Sequence, residues 1–210
     1  MNPRLWPVLL LLGPTGSGKT PLGDEIERRG LHGRRCCHFD FGANLRAAAS
    51  GKAGEAGLLE HEFEAVRASL ATGALFEERD LPMILKILSG FAETRCQTPG
   101  SLLVLNGLPR HRRQAEGLAG IVAVEEVVLL DAVASVIRER IRLDPGGDRA
   151  CRTDDSLEAV ENRLSDYRVL TLPLVEYYQA GGIPVLVIPV TGTMSAREMY
   201  EVLACRRYSS

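Results

Sequence analysis

The stretch Leu9-Leu10-Leu11-Leu12-Gly13-Pro14-Thr15-Gly16-Ser17-Gly18-Lys19-Thr20-Pro21 governs how this chain reads. Its first part continues an apolar run that opens at Trp6 and shows no polar alternation. Such a run fits a strand buried on both faces, as in a parallel sheet. Its second part, Gly13 to Thr20, fits G-x-x-x-x-G-K-[ST] at every fixed position. A helical pattern follows over residues 21–29, and the first turn of a helix tolerates Pro21. Strand, glycine loop and helix together predict a phosphate-binding loop. Glycines let backbone N–H groups converge on phosphate oxygens, and the helix N-terminus adds its dipole. Lys19 would bring a positive charge to the β- and γ-phosphates, and the Thr20 hydroxyl would ligate Mg²⁺. The expected cofactors are therefore ATP and Mg²⁺, held by Gly13, Pro14, Thr15, Gly16, Ser17, Gly18, Lys19 and Thr20, with Thr20 the metal ligand.

On either side of this loop, short apolar runs alternate with helical patterns. The runs are Trp6–Leu12, Cys36–Asp40, Leu102–Asn106 and residues 124–131 and 183–189. This alternation predicts βαβ units: an α/β three-layer sandwich around a five-stranded parallel sheet. Two segments interrupt it. Residues 44–97 carry two helical patterns, 58–72 and 79–95, too much chain for a plain crossover, so a helical insertion is expected within a single domain spanning 1–210. Residues 143–155 are poor in apolar side chains and hold Pro145, Gly146 and Gly147, which predicts an exposed, arginine-bearing loop.

The bulk properties exclude several classes. With 25 basic and 27 acidic residues among 210 and a formal net charge of -2, overall charge does not favour a nucleic-acid partner. The five cysteines, Cys36, Cys37, Cys96, Cys151 and Cys205, are odd in number and form no C-x-x-C pair. Reduced thiols are expected, not a disulfide framework or a cysteine zinc site. Arg4 and the apolar stretch to Leu12 look like a signal peptide, but the stretch is short and runs straight into the glycine loop. The expectation is a cytoplasmic protein without a membrane anchor, acting as a monomer.

A phosphate loop alone does not separate motors, GTPases and small-molecule kinases. No N-K-x-D run supports guanine recognition, and the third apolar run ends Leu105-Asn106-Gly107, without a carboxylate. Further segments narrow the choice. His38-Phe39-Asp40-Phe41-Gly42-Ala43-Asn44-Leu45-Arg46 resembles the H-I-S-T-G-D-x-L-R segment of adenylate kinases. Leu105-Asn106-Gly107-Leu108-Pro109-Arg110, with Gln114 beyond, resembles their D-G-F-P-R-x-x-x-Q segment. Arg152-Thr153-Asp154-Asp155 with Glu158, Arg163 and Leu164 resembles R-x-D-D-x-x-E-x-x-x-x-R-L. Tyr177-Tyr178 and Val190-Thr191-Gly192 are similar to the closing pattern. In order and extent these segments resemble the adenylate kinase-like nucleoside monophosphate kinases, in their short-lid form.

That resemblance implies transfer of the γ-phosphoryl group from ATP to a nucleoside monophosphate. Arg46 and Arg110 would hold the acceptor's phosphate and Gln114 would read its base. Lys19, Arg110, Arg152 and Arg163 would neutralise charge on the transferring group, with Arg142 and Arg149 as looser candidates in the lid. The insertion would be the acceptor-binding flap. No general base is needed, because phosphoryl transfer rests on positioning and charge stabilisation.

The chain also departs from the pattern. Thr20 follows Lys19 directly, with no intervening glycine. Asp40, Phe41 and Ala43 replace the Ser, Thr and Asp expected near the acceptor. Asn106 replaces the aspartate that would hold Mg²⁺ through water, leaving Asp40 and Asp131 as candidates for a compensating carboxylate. Two other readings therefore stay open: a nucleotide-binding protein of the same fold with weak or no transfer activity, and a kinase for a different small-molecule acceptor.

Overall fold

The computed structural model describes residues 5–50, 57–72, 75–147 and 157–206. Its strands are β1 (Trp6–Leu12), β2 (Cys36–Asp40), β3 (Leu102–Asn106), β4 (Val122–Asp131) and β5 (Val185–Pro189). They form one five-stranded sheet in the order β2-β3-β1-β4-β5, with every neighbouring pair parallel. The helices are α1 (Lys19–Arg29), α2 (Phe41–Ala49), α3 (Glu60–Thr72), α4 (Leu81–Arg95), α5 (Arg112–Leu118), α6 (Ala134–Leu143), α7 (Leu157–Asp166), α8 (Leu174–Ala180) and α9 (Ala196–Ala204). A 3-10 turn (Glu78–Asp80) leads into α4, and a π-helical turn (Tyr167–Thr171) follows α7.

The unalternating run of β1 now has its reason. Val8, Leu10 and Leu12 pack on one face of the sheet with Phe39, Leu105, Leu45, Val66 and Ile84. Leu9 and Leu11 pack on the other face with Leu22 and Ile26 of α1 and Met199 and Leu203 of α9. Successive side chains of a strand point to opposite faces, so a strand covered on both sides needs apolar residues throughout. Each such leucine contributes about 1.5–3 kcal/mol by leaving water. The same cluster takes in α2, α3 and α4, so the helical segment between β2 and β3 shares the core of the sheet.

Three strands coincide with the apolar runs, and two differ at their starts. β4 begins two residues before the expected run of 124–131, at Val122, because Trp6 and Pro7 of β1 pair with Val122 and Ala123. The register then slips between Val8 and Leu9, whose partners are Val124 and Glu126. That bulge accommodates the adjacent Glu125 and Glu126 within an otherwise apolar strand. β5 begins at Val185, not at Ile183, since Pro184 has no N–H for the ladder.

Candidate functional site

The site lies beyond the carboxyl ends of β1, β2 and β3, where a parallel α/β sheet reverses its strand order and leaves a crevice. A cavity of about 230 Å³ opens there, bounded by the glycine loop, the start of α2, the segment after β3 and the π-helical turn.

Local geometry makes the loop. Gly18 sits at φ 99° as the N-cap of α1, a left-handed conformation that favours glycine. A Cβ there would also stand 2.8 Å from Met199 Cε and 3.0 Å from Arg140 Nη2. Lys19 Nζ donates to the carbonyls of Gly13 at 2.7 Å and Pro14 at 2.8 Å, so its ammonium lies across the mouth of the loop. Arg140 of α6, only 3% exposed, supports the loop from behind. Its Nε donates to Gly16 O at 3.2 Å, while Nη1 donates to Thr191 O at 2.7 Å and Met194 O at 2.8 Å. Arg140 thereby joins the phosphate loop to the segment after β5. No motif of the sequence marks it. Its signal was an arginine on the stripe of Ile137 and Ile141 on α6, where an apolar residue was due.

At the head of α1 the side chains of three elements meet. Thr20 Oγ1 donates to Asp40 Oδ2 at 2.6 Å. Asn106 Nδ2 donates to Thr20 Oγ1 and to Asp40 Oδ2, both at 3.0 Å. The other oxygen of Asp40 accepts from Ala43 N at 2.8 Å, which caps α2. Behind them His38 Nδ1 lies 2.8 Å from Asp24 Oδ1, and its Nε2 lies 3.5 Å from Asn106 Nδ2. A carboxylate only accepts, so in the neutral ring Nδ1 carries the proton. Burial would raise the pKa of Asp40, but the bonds from Thr20 and Ala43 and the neighbouring His38 and Arg46 outweigh it and hold the carboxyl below its ordinary value. Among the described residues no group of three or more His, Cys, Asp or Glu could hold a metal alone. A hydroxyl, a nearby carboxylate and phosphate oxygens form the donor set that suits Mg²⁺, which binds through few protein groups.

The remaining candidates line the far side of the same cavity. Arg46 projects from α2, and Arg110 follows the cis Leu108–Pro109 bond after β3. Among the described residues neither guanidinium has a carboxylate within 4.0 Å. The crowded walls strip water from Arg110 and lower its pKa against the pull of Asp166 and Asp40. Its side chain still reaches the solvent of the cleft, and a guanidinium keeps its charge through such a shift. Gln114, 2% exposed, also borders the cavity. Its Oε1 accepts from Arg110 N at 2.8 Å and its Nε2 donates to Phe76 O at 3.3 Å. One lone pair and one hydrogen of the amide remain for a ligand. Phe41 and Phe76 meet edge to face at 5.8 Å and give this side an aromatic wall.

Arg163 of α7 is half-buried and lines the cavity together with Asp166, Tyr167 and Thr171. Thr171 Oγ1 donates to Arg110 O at 2.8 Å, so the π-helical turn holds the segment after β3. Burial, with the Asp131 carboxylate adding to it, pushes the Tyr167 phenol up to about 12. Arg142 is exposed and does not border the cavity. Arg149, Arg152 and the Asp154-Asp155 pair lie outside the described residues, as does much of the expected lid. No described helix is long and apolar enough to cross a membrane.

Comparison with known proteins gives this geometry a context. The chain is 36% identical over 180 residues to an adenylate kinase of Synechococcus sp. (strain WH7803), covering 83% of this chain and 86% of that protein. It is 32% identical over 186 residues to an adenylate kinase of Stenotrophomonas maltophilia (strain R551-3), covering 83% and 86%. A solved gluconokinase from Sinorhizobium meliloti 1021 superposes with a TM-score of 0.53 at 17% identity, covering 96% of this chain and 91% of that one. An unliganded sugar kinase from Janibacter sp. HTCC2649 gives a TM-score of 0.51 at 15% identity, covering 95% and 92%. At such low identity these two structures bear on the fold alone. No protein-family model matches the chain.

Proposed function

The chain belongs to the adenylate kinase family, and we propose that it moves the γ-phosphoryl group of ATP onto a nucleoside monophosphate. One observation carries this reading: Arg46 and Arg110 line the same cavity as Lys19 and Thr20, and among the described residues no carboxylate lies within 4.0 Å of either. Two guanidinium groups facing one cleft with no close ion pair suit a second phosphate group, since guanidinium binds two phosphate oxygens at once.

The chemistry follows from placement. The loop backbone and Lys19 hold the β- and γ-phosphates at one end, and Arg46 and Arg110 hold the acceptor's phosphate at the other. An oxygen of that phosphate attacks the γ-phosphorus. The bond from the γ-phosphorus to the β–γ bridging oxygen breaks, ADP leaves, and the acceptor becomes a diphosphate. Bound Mg²⁺, with Thr20 as its ligand, would offset the charge of the β- and γ-oxygens. Arg163, with Arg152 from the lid, would stabilise charge on the group in flight. Residues 143–155, as a short lid, would keep out the water that otherwise competes as acceptor. Residues 44–97 would be the acceptor-binding flap. Phe41 at the start of α2 and Phe76 of the flap would pack against the base, and the free positions of Gln114 would read its edge. In this reading the protein acts in the cytoplasm as a monomer.

The test is ADP formation from ATP and Mg²⁺ with AMP, CMP, UMP, GMP and their deoxy forms, each against a control without acceptor. Turnover with one of them supports the reading. Tight ATP binding and silence with all would leave either a kinase for another small molecule or a nucleotide-binding protein without transfer. The loss of carboxylates at Ala43 and Asn106 favours those alternatives.

A further inference from the structure

We infer that Asp40 at the end of β2 is the carboxylate that anchors the nucleotide-bound metal in this chain, with Asn106 on β3 serving as its partner. The inference rests on the reading of the site as an ATP·Mg²⁺ site.

The register of the sheet makes the exchange of strands possible. Asp40 and Asn106 are direct partners across the parallel pair of β2 and β3. A side chain from either strand therefore reaches the same point above α1. Two carboxylates there would repel at roughly 3 Å, so only one of the two positions suits an ionised group. Here the charge comes from β2, and Asn106 supplies what a carboxylate could not: an N–H₂ that donates to both Asp40 and Thr20.

Counting lone pairs shows what is left for a cation. The Thr20 hydroxyl gives its proton to Asp40 Oδ2 and accepts one bond from Asn106. One lone pair of Thr20 Oγ1 remains, and a metal ion takes it without breaking either bond. Asp40 Oδ2 already accepts twice, from Thr20 and Asn106, while Oδ1 accepts once, from Ala43 N. Oδ1 keeps a lone pair for a metal-bound water, which is how Mg²⁺ commonly meets carboxylates. Both hydrogens of Asn106 Nδ2 go to Asp40 and Thr20, and the His38 ring borders the pair from behind at 3.5 Å. Asp131, the other candidate, is exposed and does not border the cavity.

The experiment is a Mn²⁺ titration of the protein saturated with ATP, followed by the loss of the free-ion EPR signal. ATP affinity in EDTA is measured alongside, and circular dichroism checks the fold. Asp40→Asn keeps the cap and most of the shape but removes the charge. It should weaken Mn²⁺ binding by about 10–100-fold, with ATP affinity in EDTA unchanged. The double variant Asp40→Ser/Asn106→Asp returns the charge from β3 and should recover Mn²⁺ affinity to within about threefold. Wild-type Mn²⁺ affinity in a folded Asp40→Asn protein would overturn the inference. So would a folded double variant as weak as the single one. Neither result depends on an acceptor. A chain that binds Mn²⁺·ATP through Asp40 yet phosphorylates no nucleotide would sink the proposed acceptor and leave this inference standing.

Discussion

Gly23 of α1 faces the imidazole of His38 so closely that a Cβ at Gly23 would stand 2.3 Å from His38 Nε2. The missing side chain is what lets β2 bring His38 beneath the helix and between Asp24 and Asn106. Gly23→Ala should therefore destabilise the protein by about 1–3 kcal/mol through overpacking, although alanine is the better helix former. His38→Ala in the same chain should recover part of that loss. Urea melts of the two single variants and the double variant give the coupling, and additive effects would refute the contact.

Lys19→Met keeps the length of the side chain and removes the ammonium. Its bonds are to the Gly13 and Pro14 carbonyls of the loop. The variant should fold with an unchanged circular dichroism spectrum and lose at least about 100-fold in turnover. Full activity would mean that charge on the β- and γ-phosphates is met elsewhere.

Arg110→Ala and Arg46→Ala probe the other end of the cavity. Each removes a cation without a carboxylate partner among the described residues, so neither leaves a buried anion behind. The acceptor's kcat/KM should fall by about 10–100-fold, equivalent to about 1.5–3 kcal/mol for a hydrogen bond to a charged group. The KM for ATP should stay within about twofold, because the loop is untouched. A rise confined to the ATP KM would move both arginines to the donor side.

Two carboxylates predict the response to acid. Burial would raise Asp40 and Glu62, but Thr20 and the Ala43 N–H outweigh it at Asp40, and Lys86 with the Leu59 N–H outweighs it at Glu62. Both carboxyls lie below their unfolded values of 3.8 and 4.5 in the folded chain. Their stabilisation is complete above those unfolded values and is lost as pH falls through the lower folded ones. The urea midpoint should thus hold steady down to about pH 5 and decline below about pH 4. Asp40→Asn/Glu62→Gln should flatten that decline. An equally steep fall in the double variant would assign it to other groups.

Residues near one another in the chain were open to reading along the chain. The run Leu9 to Leu12 and the loop Gly13 to Thr20 form strand, turn and helix start within one continuous stretch, and their chemistry depends on neighbours a few residues away. The ends of β2 and β3 were equally legible, because burial on both faces leaves no alternation to misread. Tertiary structure alone decided what Asp40 does. Thr20, Asp40 and Asn106 belong to three elements, and their bonds of 2.6–3.0 Å exist only because β2 and β3 pair in one register over the head of α1. Arg140 reaches Gly16 from 124 positions away, and Gln114 reaches Phe76 from 38 away. Hydrogen bonds form at about 3 Å and tolerate little error, so the choice among distant polar residues waits on packing that no local pattern encodes.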